Sequence, residues 1–238
     1  MINENKIFCI GFNKSGSSSL VYSIYDLGVG EHMDFSAGEL LIPSYMDRNL
    51  PKCSSSNKFN KKLLEFCKSP VLFKDIPFSL PNVWKILYAE YPNAKYILSV
   101  RDSPEQWFTS ITNYHKKFTG PTLSWCALNE VNYRYSKTDN TNSFFYDYMK
   151  SVNGNAKEPY DKDSLISAYN KHNNEVTEFF KDKPNFITIN VAKDNDYAKL
   201  CKFLDVKSEL TKFLHIQSNT VKPNVGTETL PYHLRNLE

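Results

Sequence analysis

The segment Lys6-Ile7-Phe8-Cys9-Ile10-Gly11-Phe12 constrains the fold more than any other part of the chain. It is a nearly continuous apolar run, and such runs suit strands buried on both faces, as in parallel sheets. The run gives way to a turn of glycine and serine, Asn13 to Ser19. A helical pattern follows at once, with Leu20, Val21, Ile24 and Leu27 apolar and Gly28 where a helix C-cap glycine belongs. A buried strand that passes through a small-residue turn into a helix is the opening unit of a sheet covered by helices.

The rest of the chain repeats that alternation. Residues from Gly28 to Ser56 read as irregular, and Asn57 to Lys68 as a helix. Val71-Leu72-Phe73 is a second strand ending at Lys74-Asp75. Leu80, Val83, Trp84, Leu87 and Tyr91 mark a helix with Ser79 as N-cap and Pro81 in its first turn. Tyr96 to Val100 is a third strand ending at Arg101-Asp102. A helix start follows, with Ser103 and Gln106 at capping-box spacing and Pro104 at the first helical position. Trp107, Ile111 and Tyr114 supply that helix with its buried face. Phe118 to Tyr160 is rich in aromatics and asparagine without a clean period and reads as an insert or lid at about 118–160. Leu165, Tyr169, His172, Val176 and Phe179 form a helical stripe, Phe186 to Val191 a fourth strand, and Asp196 to Leu204 a last helix. Strands alternating with helices predict an α/β fold, a central mostly parallel sheet of about four to five strands covered by helices.

Length and composition set the outer bounds. The 238 residues fit one domain, 1–238, and 41% apolar against 23% charged residues describes a globular chain. A net charge of +3 is too small for non-specific nucleic-acid binding but suits a small polyanion. No run approaches the roughly 20 apolar residues of a membrane span. Only polar-rich residues precede Lys6, so no secretory signal is expected. The five cysteines (Cys9, Cys53, Cys67, Cys126 and Cys201) lack metal-ligand or disulfide-framework spacing. A reducing, cytoplasmic setting is the expectation. The glycosylation pattern Asn13-Lys14-Ser15 falls inside the turn and is set aside.

Ligands of open parallel sheets bind beyond the carboxyl ends of the strands. Three polar clusters fall there: Lys14 with its serines, Asp75, and Arg101. The first combines small side chains, exposed backbone N–H groups and a helix N-terminus, which together make a phosphate site. It is not the triphosphate-binding pattern G-x-x-x-x-G-K-[ST], because Ser17 follows Gly16 where lysine is required. The lysine stands two residues before Gly16 instead.

The segment Ile10-Gly11-Phe12-Asn13-Lys14-Ser15-Gly16-Ser17-Ser18-Ser19-Leu20 resembles the 5′-phosphosulfate loop of the P-loop sulfotransferase superfamily. Tyr96 to Ser110, YILSVRDSPEQWFTS, resembles that family's 3′-phosphate motif; YNKHNNEV from Tyr169 and LCKFLDV from Leu200 resemble later segments of its shorter bacterial-type branch. The resemblance implies a three-layer P-loop fold and sulfuryl transfer from 3′-phosphoadenylyl sulfate, without a metal, to a small-molecule or glycan acceptor. It implies a donor site of Asn13, Lys14, Ser15, Gly16, Ser17, Ser18 and Ser19, with Arg101 and either Thr109 or Ser110 on the 3′-phosphate. Asp75 stands where many members carry a catalytic histidine, and a carboxylate there is a general base. Two other readings of Asp75 compete with that role, a helix-capping and a metal-holding aspartate, and His32 and His115 are alternative bases. His172, on an apolar stripe, reads as a packed structural histidine. Trp125, Tyr133, Tyr135, Phe144, Tyr146 and Tyr148 line an acceptor pocket or form the insert's own core. Ser19 replaces the tryptophan that stacks on adenine in many members, and Lys222 and Gly226 are weak counterparts of their glycine-rich C-terminal segment. Two other activities fit the same fold: a small-molecule kinase using Mg-ATP, and a non-catalytic nucleotide-binding protein.

Overall fold

Four strands form one parallel sheet in the order β2-β1-β3-β4: β1 Ile7–Cys9, β2 Leu72–Phe73, β3 Lys95–Ser99 and β4 Phe186–Ile189. The computed structural model describes residues 6–30, 38, 41–47, 55–68, 71–131, 143–154 and 156–215. Strand β1 sits between its neighbours, with Phe8 beside Phe73 on one edge and Tyr96 on the other. Its side chains alternate across the sheet, as the period of a strand requires. Phe8, Ile10 and Phe12 enter the larger core, and Ile7 and Cys9 the smaller one. That division is why the run is apolar at every step.

The larger core lies under α3 (Ser55–Phe66), α4 (Val83–Glu90), α5 (Pro104–Thr119), α7 (Phe144–Asn153) and α8 (Lys162–Phe180). The smaller lies under α1 (Ser17–Asp26) and α9 (Asp194–Leu204). Sheet and two helical layers make the three-layer α/β fold. The larger core is unusually aromatic: the Phe8 ring lies 4.8 Å from Phe73, 5.5 Å from Tyr96 and 5.7 Å from Phe78.

Most predicted helices are present with ends shifted by a residue or two. Gly28 takes φ +73° after α1, the left-handed cap that a residue with Cβ resists. Ser103 caps α5, its hydroxyl accepting from the Gln106 N–H at 3.1 Å. Four expectations need correction. The stretch read as irregular holds α2 (Ile42–Asp47), with Ile42 and Tyr45 buried. The stretch read as an insert holds α6 (Trp125–Glu130) and α7, and the buried face of α7 belongs to the main core. Helix α4 starts after Asn82, not Ser79, whose hydroxyl is drawn to Asn13 instead. On α8, Phe180 takes the buried place given to Phe179, because its ring stacks on Phe186 at 4.8 Å and meets Tyr96 at 4.9 Å.

Candidate functional site

Two glycines fix the path of the turn after β1. A Cβ on Gly11 would lie 2.4 Å from the Ser99 carbonyl, so only glycine lets the chain pass so near β3. Gly16 is the N-cap of α1 at φ +97°, and a Cβ there would meet Val191 at 2.6 Å. Lys14 also takes a positive φ, +70°. The turn is pinned at its first residue. Asn13 donates its N–H to the Tyr148 hydroxyl at 3.2 Å, accepts from the Trp107 indole on its carbonyl at 2.9 Å, and accepts from the Ser79 hydroxyl on Oδ1 at 2.7 Å. Arg101 Nε donates to the Lys14 carbonyl at 2.8 Å, tying the turn to the end of β3.

The serines divide by direction. Ser15 is fully buried; its hydroxyl donates to the Phe12 carbonyl and shares a 2.6 Å bond with Ser99, so it does not line the cleft. Ser17 donates to Asp75 Oδ1 at 2.7 Å, and Ser18 accepts from Lys74 Nζ at 3.0 Å. Asn13, Lys14, Gly16, Ser17, Ser18 and Ser19 line one cleft of about 320 Å³ together with Lys74, Asp75 and Arg101. Helix geometry leaves the N–H groups of the first turn of α1 without intrahelical partners at this end.

Lys74 is the group that sequence reading passed over. Its side chain is buried, 5% exposed, and its ammonium lies 3.1 Å from Asp75 Oδ2. A lysine closing an apolar strand beside an aspartate was the available signal. Asp75, at φ +54°, spends neither oxygen on capping a helix: one takes the Ser17 hydroxyl and the other faces Lys74. Burial pushes its carboxyl up, but Lys74, the Ser17 hydrogen bond and Lys14 together hold it below the ordinary carboxylate value. Lys14 is drawn down to about 8, by burial first, with Asp75 opposing and Arg101, Lys117 and Lys74 reinforcing. Its ammonium sits 3.8 Å from the centre of the Tyr114 ring.

Of the histidines, His172 is buried, stacks on Phe12 at 4.2 Å and bonds the Ile10 carbonyl at 2.9 Å. Burial lowers it to about 4. His115 lines the cleft, but it is buried and its Nδ1 is bonded to the Tyr160 hydroxyl. Burial and then Lys14 push its pKa down to about 3, leaving a neutral, weakly basic ring. His32, Tyr133, Tyr135, Lys222 and Gly226 lie outside the described residues.

The model of the sulfotransferase domain family matches residues 6–220, nearly the whole chain. The chain belongs to the sulfotransferase family. No curated protein matches it. A sulfotransferase transfers sulfuryl groups, and the anion-binding geometry of the turn accords with that chemistry. In this sulfotransferase Arg101 also lines a second, shallower hollow beside the cleft, with Gln106, Thr109, Ser110 and Glu105. The arginine and both hydroxyl candidates thus meet at one place, Thr109 being the more exposed. The sulfotransferase cleft is also lined by Val191, Ala192 and Phe213-Leu214-His215, the last three held by the Leu214 N–H on Ser23 Oγ at 2.9 Å and by the Phe213 ring against Tyr197 at 5.3 Å. Among the described residues no cluster of three or more histidine, cysteine or acidic side chains has the geometry to hold a metal, and no helix is long and apolar enough to cross a membrane.

Proposed function

We propose that this sulfotransferase takes its sulfuryl group from 3′-phosphoadenylyl sulfate and passes it, in line, to a hydroxyl or amine of a small acceptor, with Asp75 as general base. One observation carries the reading: Lys14, Lys74 and the N-terminus of α1 converge on one cleft with a carboxylate, Asp75, while Arg101 reaches from that cleft to a hollow with two hydroxyls. The donor supplies an activated sulfonate on a 5′-phosphate and a second phosphate at the 3′ position. The residues fit both charges, and at Gly16, where a Cβ would strike Val191, glycine keeps the backbone of the cradle on its path.

The protein's part is placement and charge. Asp75 accepts the acceptor's proton as its oxygen or nitrogen approaches sulfur. Lys74 and Ser17 hold that carboxylate in one orientation. Lys14 and the first-turn amides face the charge that grows on the leaving phosphate, an interaction stronger in the transition state than before it. Arg101, with Thr109 or Ser110, anchors the 3′-phosphate by guanidinium geometry.

Calorimetry with 3′,5′-adenosine bisphosphate in the absence of magnesium tests the donor. Binding in the micromolar range is expected. Binding of ATP only with magnesium, and none of the bisphosphate, would replace this reading with a kinase.

A further inference from the structure

Resting on that donor reading, we infer that the acceptor is a phenol, its ring seated against the wall that Tyr114 and His115 of α5 and Phe144 and Phe145 of α7 give the cleft. These four rings form one contiguous surface. His115 and Phe145 are 4.5 Å apart, Phe144 and Phe145 5.4 Å, and Tyr114 and Phe145 6.2 Å at a steep angle. Those spacings lie within the range in which aromatic rings attract through stacked and edge-on contacts, so a flat acceptor ring extends a pattern already present.

The chemistry of the wall argues against other acceptors. A saccharide needs several polar partners for its hydroxyls, and buried polar groups left unpaired are costly. Here the His115 Nδ1 is already taken by Tyr160, and Phe144 and Phe145 offer no polar atoms. An alkylammonium acceptor would meet the positive charges of Lys14 and Lys74 on approach. A phenol carries no charge as it enters and presents one reacting hydroxyl.

The base points the same way. Both Asp75 oxygens are engaged, by the Ser17 hydroxyl at 2.7 Å and the Lys74 ammonium at 3.1 Å, which makes the carboxylate a weak proton acceptor. A weak base suits an acidic hydroxyl, and phenols ionise near pH ~10, far below alkyl alcohols. The Lys14 ammonium, already 3.8 Å from the centre of the Tyr114 ring, favours negative charge on an oxygen at this edge. In the step itself the phenol O–H bond breaks and its proton passes to Asp75. The oxygen forms a bond to sulfur. The bond from sulfur to the bridging oxygen of the donor breaks, and its electron pair leaves with the 5′-phosphate. The products are an aryl sulfate and the bisphosphate.

The test uses the full chain, sulfur-35-labelled donor and five acceptors: 2-naphthol, 4-methylphenol, cyclohexanol, methyl glucoside and hexylamine. Bisphosphate affinity is measured on the same preparation. The phenols are expected to show kcat/KM at least tenfold above the other three. Phe144→Leu is expected to raise KM for 2-naphthol roughly three- to tenfold, the scale of a lost ring contact, with bisphosphate affinity intact as proof of folding. An unchanged KM in that variant overturns the wall as the acceptor surface. Bisphosphate binding without preferential phenol transfer overturns the phenol assignment and leaves the donor reading in place. Absence of bisphosphate binding removes the donor reading and the inference with it.

Discussion

Lys14 makes donor affinity depend on pH in a way that can be worked out in advance. In the free protein its ammonium is drawn down to about 8, burial being the main cause. A phosphate dianion at the turn supplies the missing countercharge and returns the group toward the ordinary lysine value of about 10.4. The complex therefore holds a proton that the free protein loses from about pH 8 upward. By linkage, affinity for 3′,5′-adenosine bisphosphate is level up to about pH 8 and then falls about tenfold per pH unit, up to about a hundredfold by pH ~10. At ~1.36 kcal/mol per pKa unit, that is about 2.7 kcal/mol of binding free energy. The phosphates themselves lose their second proton around pH ~6, below the range in which Lys14 titrates, and do not contribute to this limb. The assay is calorimetry between pH 7 and 10 in two buffers with different heats of ionisation. Close to one proton taken up on binding near pH 9 is expected. Lys14→Arg should flatten the limb, because a guanidinium keeps its proton throughout. A dissociation constant that stays level to pH 10 without proton uptake would refute the reasoning.

Further outcomes follow from individual contacts. Asp75→Asn is expected to lower turnover by ~10² to 10⁴, the usual size of a lost general base, with bisphosphate affinity equal or higher because two lysines lose their countercharge; steady-state rates and calorimetry check both halves. Gly16→Ala places a Cβ 2.6 Å from Val191 at φ +97°, so it should weaken bisphosphate binding at least tenfold and lower Tm by several degrees in a thermal melt. Tyr148→Phe leaves the Asn13 N–H without its partner, a cost of about 1–3 kcal/mol readable in urea unfolding. Thr109→Val and Ser110→Ala, compared by bisphosphate affinity, identify which hydroxyl meets the 3′-phosphate: the binding partner is the one whose loss weakens affinity by about tenfold.

What the sequence discloses and what it hides have separate physical causes. Strand β1 was legible because both its faces are buried, which leaves an unbroken apolar run. Gly28 and Ser103 were legible because caps are local chemistry. Ser79 was misread because its hydroxyl goes to Asn13, 66 residues away, and no local pattern announces a distant partner. The serines of the turn looked alike in sequence, yet Ser15 points inward to Ser99 while Ser17 and Ser18 face the cleft. A turn has no fixed period that would sort them. Lys74 was passed over because a strand-end lysine usually reaches solvent, whereas this one turns back to Asp75 and Ser18. Helix α7 was hidden in aromatic, asparagine-rich surroundings, although its rings Phe145 and Tyr148 pack into the main core. The wall at Phe213 to His215 is held by the Phe213 ring against Tyr197 and by the Leu214 N–H on Ser23, a partner far away along the chain, which spacing alone could not suggest.

The three bonds that Asn13 makes to Tyr148, Trp107 and Ser79 have a kinetic consequence. They occupy the backbone N–H, the backbone carbonyl and the side-chain oxygen of the residue that leads into the turn, so the cradle is already shaped when the anion arrives. Little of the attraction is then lost to ordering the loop. Association should proceed as a single exponential phase whose rate rises linearly with bisphosphate concentration and falls with added salt, as for a charged ligand steered into a rigid receptor.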